Sequence, residues 1–301
     1  MKRTVVIALG GNALLQRGET MSAENQYKNI GLVAEVVAVL SQDYRVVMVH
    51  GNGPQVGLLA LQNLACDVAP AYPLDVLVAE TQGMIGYMIA QRLDQQPRTP
   101  PVSTLLTRIE VHADDPAFQT PGKFIGPVYA PKEETMLREK YGWQLKSDGQ
   151  YIRRVVASPR PQRVLELEGI KALLALGHVV VCAGGGGMPV VRETEGFRGV
   201  EAVIDKDLTA ARLAVELNAE HLMILTDADA VYQEWGTPQA KALRDVTPAQ
   251  LRPFAAPDGA MGPKAEAVIT FVEQTGNVAW IGALRDATEI MAGRKGTRIH
   301  L

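Results

Sequence analysis

The sequence predicts an α/β fold on a mainly parallel central sheet, and two observations carry that prediction. Short β-branched apolar runs alternate along the chain with stretches of helical period. Three of those runs end in glycine clusters: Thr4–Asn12 (TVVIALGGN), Arg45–Pro54 (RVVMVHGNGP) and His178–Pro189 (HVVVCAGGGGMP). Apolar runs of four to six residues bounded by glycine are strands buried on both faces, as in a parallel sheet. Glycine at the carboxyl end of a strand allows a sharp turn and brings bare N–H groups close to a ligand. Ligands of open α/β sheets sit at those strand ends, so three such turns point to a shared site for an anion, phosphate above all.

The elements follow in order. Ser22 is placed to cap a helix running to about Leu40, with Ile30, Val33, Val37 and Leu40 on one face. Arg45–His50 is the second strand of a βαβ unit, whose right-handed crossover leaves both glycine turns on one sheet edge. Residues 55–65 and 76–93 are expected as helices and Val102–Arg108 as a strand. Between about Ala113 and Arg154 the alternation stops. Prolines 116, 121, 127 and 131 interrupt the chain, and Trp143–Arg153 has the pattern of a β-hairpin around Asp148 and Gly149. Trp143, Leu145, Tyr151 and Val155 offer this excursion apolar positions to bury, so residues 113–153 are expected to form a lid or small protruding subdomain of one domain spanning 1–301. From about Val164 the alternation resumes. It gives a helix through Leu176, the strand Val179–Cys182, a helix near Leu208–Leu217, the strand His221–Leu225, a helix near Lys264–Gln274, the strand Val278–Ile281 and a short helix to about Ala292.

Bulk properties narrow the classes. A net charge of −3 and a pI near 6.0 give no electrostatic case for nucleic acid or an anionic membrane. Cys66 and Cys182 are too few for a disulfide framework, and the apolar stretch Val5–Leu9 is shorter than a signal-peptide core or a membrane span. A cytoplasmic protein is expected. No segment supplies G-x-x-x-x-G-K-[ST], and Gly51–Gly57 (GNGPQVG) sets its third glycine one place late for a dinucleotide fingerprint. No G-x-S-x-G or HExxH motif occurs, and the five histidines lack metal-ligand spacing.

Three of the eleven lysines stand in unusual contexts. Lys206 lies between aspartates in Glu201–Asp207 (EAVIDKD), at a junction from strand to helix. Lys264 ends Ala260–Lys264 (AMGPK), where Gly262 and Pro263 set the backbone ahead of a helix. Lys123 lies within the excursion. An ammonium is a compact charge matched to a phosphate oxygen, and phosphoryl transfer mainly needs such charges placed around the moving group. Asp207 and Asp227 are candidates for orienting lysines or reaching Mg²⁺ through water, or else cap the helices that follow them.

The blocks Ala8–Leu14 (ALGGNAL), His50–Gly57 (HGNGPQVG), Thr81–Tyr87 (TQGMIGY), Arg154–Pro159 (RVVASP), Gly184–Gly187, Glu201–Asp207 and Met261–Lys264 (MGPK) closely resemble the carbamate kinases, a branch of the amino acid kinase group. The resemblance runs from Val5 to about Gly296. It implies a three-layer αβα sandwich with a protruding subdomain, a homodimer, and reversible phosphoryl transfer between ATP and carbamate with Mg²⁺ carried on the nucleotide. That transfer is expected to run towards ATP in the catabolism of arginine or purine-derived compounds. By family role, Gly10, Gly11, Asn12, Gly51, Asn52 and Gly53 line the carbamoyl phosphate side in the N-terminal part. Lys123 reaches in from the protrusion, and Lys206 and Lys264 bridge the phosphoryl group and the nucleotide, with Asp207 holding Lys206. Thr226, Asp227, Tyr232 and Gly262 belong to the nucleotide side, formed by about 160–301.

Two positions depart from the family pattern. Ala260 replaces a serine that commonly precedes Met-Gly-Pro-Lys, and Phe124 replaces the proline that usually follows the protruding lysine. Another small-carboxylate kinase, such as acetylglutamate kinase, would need a roomier, arginine-bearing pocket between the first two glycine turns. A non-catalytic nucleotide sensor would be marked by loss of a phosphoryl-side lysine, and all three lysines are present.

Overall fold

The computed structural model describes residues 2–16, 18–256 and 260–301, with Asn12 described in its backbone alone. The chain begins β1 (Arg3–Leu9), α1 (Ala23–Asp43), β2 (Tyr44–His50), α2 (Gly53–Leu64), α3 (Leu74–Asp94), β3 (Val102–Leu105) and β4 (Arg108–Glu110). A middle segment holds β5 (Lys123–Tyr129), α4 (Glu134–Tyr141), β6 (Leu145–Asp148) and β7 (Tyr151–Val156). Then come β8 (Arg163–Val164), α5 (Leu167–Ala175), β9 (Val179–Cys182), β10 (Met188–Glu193), β11 (Gly196–Gly199), α6 (Lys206–Glu216) and β12 (His221–Thr226). The chain closes with β13 (Val231–Gln233), β14 (Lys241–Leu243), β15 (Asp245–Val246), α7 (Pro248–Leu251), α8 (Gly262–Thr275), β16 (Val278–Ala283), α9 (Ala287–Met291) and β17 (Thr297–Ile299).

Eight strands form the central sheet in the order β15-β17-β16-β12-β1-β2-β9-β3. Among the described residues its neighbours run parallel except β16 and β17. Side chains alternate across a strand, so each strand feeds two cores. Val5, Ile7 and Leu9 pack with Ile30, Val33, Val37 and Leu40 of α1 and with Ile85 and Ile89 of α3. Val6 and Ala8 face the other way, onto Ile170 of α5, Leu213 of α6 and Phe271 of α8. Helices therefore cover both faces, giving three layers. The α1 face read from the sequence is the buried one, and Ser22 Oγ accepts from Asn25 N–H at 3.2 Å as the cap.

The middle segment makes its own three-stranded sheet, β5-β7-β6, over a small core of Leu137, Trp143, Leu145 and Ile152. The hairpin turn falls at Gly149, whose φ of 64° is the left-handed region that glycine tolerates. Tyr151 is exposed, contrary to expectation, because the pleat turns its neighbour Ile152 inward instead.

Other departures have physical causes. Val102–Arg108 is two strands in two sheets. The chain leaves the central sheet after Leu105, with Thr107 N–H donating to Gln82 Oε1 at 2.8 Å, and enters a four-stranded sheet ordered β11-β10-β4-β8. Val164 ends a short strand in that sheet, and the helix expected there starts at Leu167. The α6 helix begins at Lys206, earlier than its apolar period indicated, because Asp205 caps it.

Candidate active site

Strands β2, β1 and β12 are parallel neighbours at the middle of the sheet, so the loops at their carboxyl ends share one edge. Gly10 N–H donates to Leu225 O at 2.9 Å and Gly51 N–H to Leu9 O at 3.2 Å, which ties the three loops together. Gly51 is close-packed here, since a Cβ would stand 3.3 Å from Lys206 Cδ and 3.6 Å from Gly11 N. The stem of Lys206 therefore passes against the second glycine loop. Asn52 precedes α2 without capping it, because its Nδ2 donates to Thr81 Oγ1 at 2.9 Å. The first N–H groups of this 12-residue helix are thus left without a side-chain cap, an arrangement that suits an anion.

The third glycine cluster behaves differently from the expectation of a shared anion site. Gly184–Gly187 is buried throughout, and the N–H groups of Gly186 and Gly187 bond within the turn to Ala183 O and Gly184 O. Its glycines are needed for close approach, since a Cβ on Gly184 would lie 2.2 Å from His50 Nε2 and one on Gly185 2.1 Å from Asn52 Nδ2. This turn supports the second loop from behind. His50 is structural too. It is buried, its Nδ1 lies 3.0 Å from Gly51 O, and burial pushes its pKa down to about 4.

The three lysines converge. Lys206 Nζ donates to Asp207 Oδ1 at 2.6 Å and Lys264 Nζ to Asp207 Oδ2 at 3.1 Å, so one buried carboxylate separates two ammonium groups. Burial lowers the pKa of Lys206, the positive charge of Lys264 lowers it further, and Asp207 and Asp205 offset part of this. For Lys264, burial works against the charge, but Asp207, then Asp205 and Asp227, hold its pKa above the ordinary lysine value. Lys264 is set by α8, where Gly262 is buried in the first turn and Pro263 follows. Asp207 is not a cap; Asp205 holds that position.

Lys123, at the start of β5, donates from Nζ to Asp205 Oδ2 at 2.5 Å. Asp205 Oδ1 meanwhile accepts from Asp207 N–H at 2.9 Å as the N-cap of α6. Burial would raise the Asp205 pKa, but Lys123 and Lys206 outweigh it and hold the carboxyl far below the usual carboxylate range. Phe124, next along β5, brings its carbonyl within 3.9 Å of a Cβ placed on Gly53. Asp205 was legible only as a flanking charge, yet an aspartate directly ahead of a helix is a cap signal that could have placed it.

Thr226 ends β12 beside Gly10, and Asp227, the next residue, acts electrostatically on Lys264. Asp227 precedes no helix, so capping is not its role. Tyr232 is turned towards the hairpin, its hydroxyl donating to Asp229 Oδ1 at 2.8 Å and its ring 5.0 Å from that of the exposed Trp235. Ala260 is exposed ahead of α8. The side chain of Asn12 lies outside the described residues.

Three ammonium groups, held by Asp205 and Asp207 with Asp227 acting on Lys264, gather beside two glycine loops and a helix start. Lysine charges gathered this way are the kind of arrangement that can neutralise charge as a phosphoryl group moves. Comparison with known proteins points the same way. The amino acid kinase family matches residues 3–282. The carbamate kinase of Escherichia coli strain K12 is 61% identical over 299 residues, covering 99% of this chain and all of the relative. The solved carbamate kinase of Giardia lamblia bound to citric acid superposes with a TM-score of 0.92 at 37% identity, covering 99% of this chain and 98% of that one. The same enzyme bound to AMP-PNP gives a TM-score of 0.87 at 38% identity over 99% and 98%.

Proposed function

Because the chain belongs to the amino acid kinase family and, within it, to the carbamate kinases, we propose that it transfers a phosphoryl group reversibly between ATP and carbamate, giving ADP and carbamoyl phosphate. The observation that carries this reading is the bridge Lys206–Asp207–Lys264, with the Lys206 stem against Gly51 of the second glycine loop. Carbamate is already an anion, so no general base is needed, and positioning with charge neutralisation lowers the barrier.

In this reading Gly10, Gly11, Asn12, Gly51, Asn52 and Gly53 cradle carbamoyl phosphate. Lys206 and Lys264 hold the moving phosphoryl group between substrate and nucleotide, and Asp207 fixes their spacing. Thr226, Asp227, Tyr232 and Gly262 belong to the nucleotide side. Residues 113–153 act as a lid on a single 1–301 domain, bringing Lys123 over the substrate and excluding water from a labile anhydride. Asp205 and Asp207 are both taken up by lysines, and no cluster of three metal-ligating side chains occurs among the described residues. In this reading Mg²⁺ would be carried on the nucleotide phosphates and would neutralise part of their charge.

Carbamoyl phosphate is an acyl phosphate with high transfer potential, which favours running the reaction towards ATP in catabolism of arginine or purine-derived compounds. A homodimer is supported by the apolar residues Leu32 and Val39 of α1 and Val76, Met84 and Tyr87 of α3, all exposed. No helix among the described residues is long and apolar enough to cross a membrane, and free Cys66 and Cys182 suit the reducing cytoplasm.

Purified protein with Mg²⁺ is expected to form ATP from ADP and carbamoyl phosphate in a coupled assay. Turnover no faster than spontaneous decomposition of carbamoyl phosphate overturns the reading. Acetylglutamate, aspartate and UMP are expected to yield negligible ADP when offered with ATP.

A further inference from the structure

Gln55 lies in the first turn of α2, two residues after the Gly51–Gly53 loop, and is 2% exposed. Its Nε2 donates to Gln26 Oε1 at 3.0 Å. Gln26 lies in the first turn of α1, the helix that follows the Gly10–Asn12 loop, so this bond joins the starts of the two helices behind the two loops. The amide orientations are set by a chain of partners. Gln26 Nε2 donates to Ser22 O at 3.3 Å, which turns Gln26 Oε1 towards Gln55 and obliges Gln55 to present its nitrogen there. Gln55 Oε1 is consequently left buried with no hydrogen-bond partner.

A buried acceptor without a donor is costly, and native proteins rarely keep one unless a water, an ion or a ligand supplies the missing group. The other orphaned polar atoms of the described residues belong to Arg45, Tyr129, His221 and Trp280, none of which lies in a helix turn directly behind a glycine loop. The reading of carbamate as substrate, on which this inference rests, supplies the donor: an NH₂ group that most other small acyl phosphates lack.

We propose that Gln55 Oε1 accepts a hydrogen bond from the carbamoyl NH₂ and selects carbamate over acyl groups of the same shape. Gln55 is a specificity residue touching the substrate on the side away from the transferred phosphoryl group. Acetyl phosphate differs from carbamoyl phosphate only by CH₃ for NH₂. Bound in the same pose, it leaves the oxygen unsatisfied, whereas a site built to pair a donor rejects the analogue lacking it.

The test compares ATP formation from carbamoyl phosphate and from acetyl phosphate. In Gln55→Met the ratio of the two kcat/KM values is expected to fall ~10-fold or more. Gln26→Met breaks the same Gln55–Gln26 bond but keeps the Gln55 oxygen, so its ratio is expected to stay within about threefold of wild type. An unchanged ratio in Gln55→Met, or an equal fall in Gln26→Met, overturns the proposal. Wild-type protein gives an independent check that needs no variant. Calorimetry is expected to show phosphonoacetamide binding ~10-fold more tightly than the isosteric acetonylphosphonate, and equal affinities overturn the proposal. Wild-type ATP formation with these negative results sinks the role of Gln55 alone; absence of wild-type ATP formation sinks the reading of the substrate.

Discussion

Lys123 and Asp205 meet across 82 positions of sequence, with Lys123 Nζ donating to Asp205 Oδ2 at 2.5 Å. The carboxylate that caps α6 thus also holds the three-stranded sheet down over the lysine cluster. Lys123→Ala releases that hold and removes a charge from the substrate side. It is expected to raise KM for carbamoyl phosphate and lower kcat while leaving ADP binding nearly unchanged. Hydrogen exchange across about residues 118–130 is expected to slow when an unreactive carbamoyl phosphate mimic binds. Normal activity in the variant with unaltered exchange would reduce the small sheet to a structural addition.

Lys206→Ala and Lys264→Ala are each expected to lower kcat by on the order of 10²-fold or more, because each charge acts mainly on the transition state. Either variant keeping above about a third of wild-type kcat would remove its residue from the machinery. Asp207→Asn keeps the shape but takes away the charge between two ammonium groups, so kcat is expected to fall there with no direct contact to substrate lost.

The lowered pKa of Lys206 has a kinetic signature. In kcat/KM, which reports the free enzyme, activity is expected to decline on the alkaline side below the ordinary lysine value of about 10.4. In kcat the same limb is expected at higher pH, because bound phosphate favours the charged lysine. Coincident limbs in the two profiles, or a Lys206→Arg variant with an unmoved limb, would assign the titration to another group.

His50 sets an acid limit on stability. Its folded pKa of about 4 lies below the unfolded value of about 6.5, so its contribution is full above pH 6.5 and is lost as pH falls through 4. The loss amounts to about 3 kcal/mol by linkage. Asp205 is also depressed, so its contribution drains away only below about pH 4. Urea unfolding between pH 7 and 4.5 is expected to show the first slope, and His50→Gln to flatten it.

Gly57 offers a mechanical test of the proposed lid. A Cβ there would stand 2.0 Å from Gly126 Cα and 2.1 Å from Gly126 N, backbone atoms with no flexible side chain to give way. Gly57→Ala must push β5 off α2, and is expected to cost about 1–3 kcal/mol and to reproduce the KM change of Lys123→Ala. Gly31→Ala on α1, where nothing lies within 4 Å, is expected to be neutral or stabilising.

Most of the central sheet was legible because buried parallel strands leave an unbroken apolar signal; Val5–Leu9 and Val179–Cys182 are examples. The smaller sheets were not. Strands such as β10 and β11 carry exposed charges at Arg192, Glu193 and Arg198, and two-residue β8 is too short to show a period. Within the site the lysines stood out by their glycine and aspartate neighbours. The meeting of Lys123 with Asp205 did not, because no local pattern encodes a contact made between the three-stranded sheet and a helix cap. Gly184–Gly187 misled for the same reason: glycine marks close approach, and the sequence does not say to what.

The pairing of β1 with β12 joins Thr4 and Glu220, 216 residues apart. A growing chain therefore exposes one side of its first strand until the twelfth has left the ribosome, about 10–40 s later at ordinary synthesis rates. Arg3–Leu9 is hydrophobic, β-branched and uncharged after its first residue, the kind of edge that recruits other chains. The same strand that leads into the first glycine loop is thus an aggregation hazard of the nascent protein, and chaperone demand should track the synthesis time of residues 10–226.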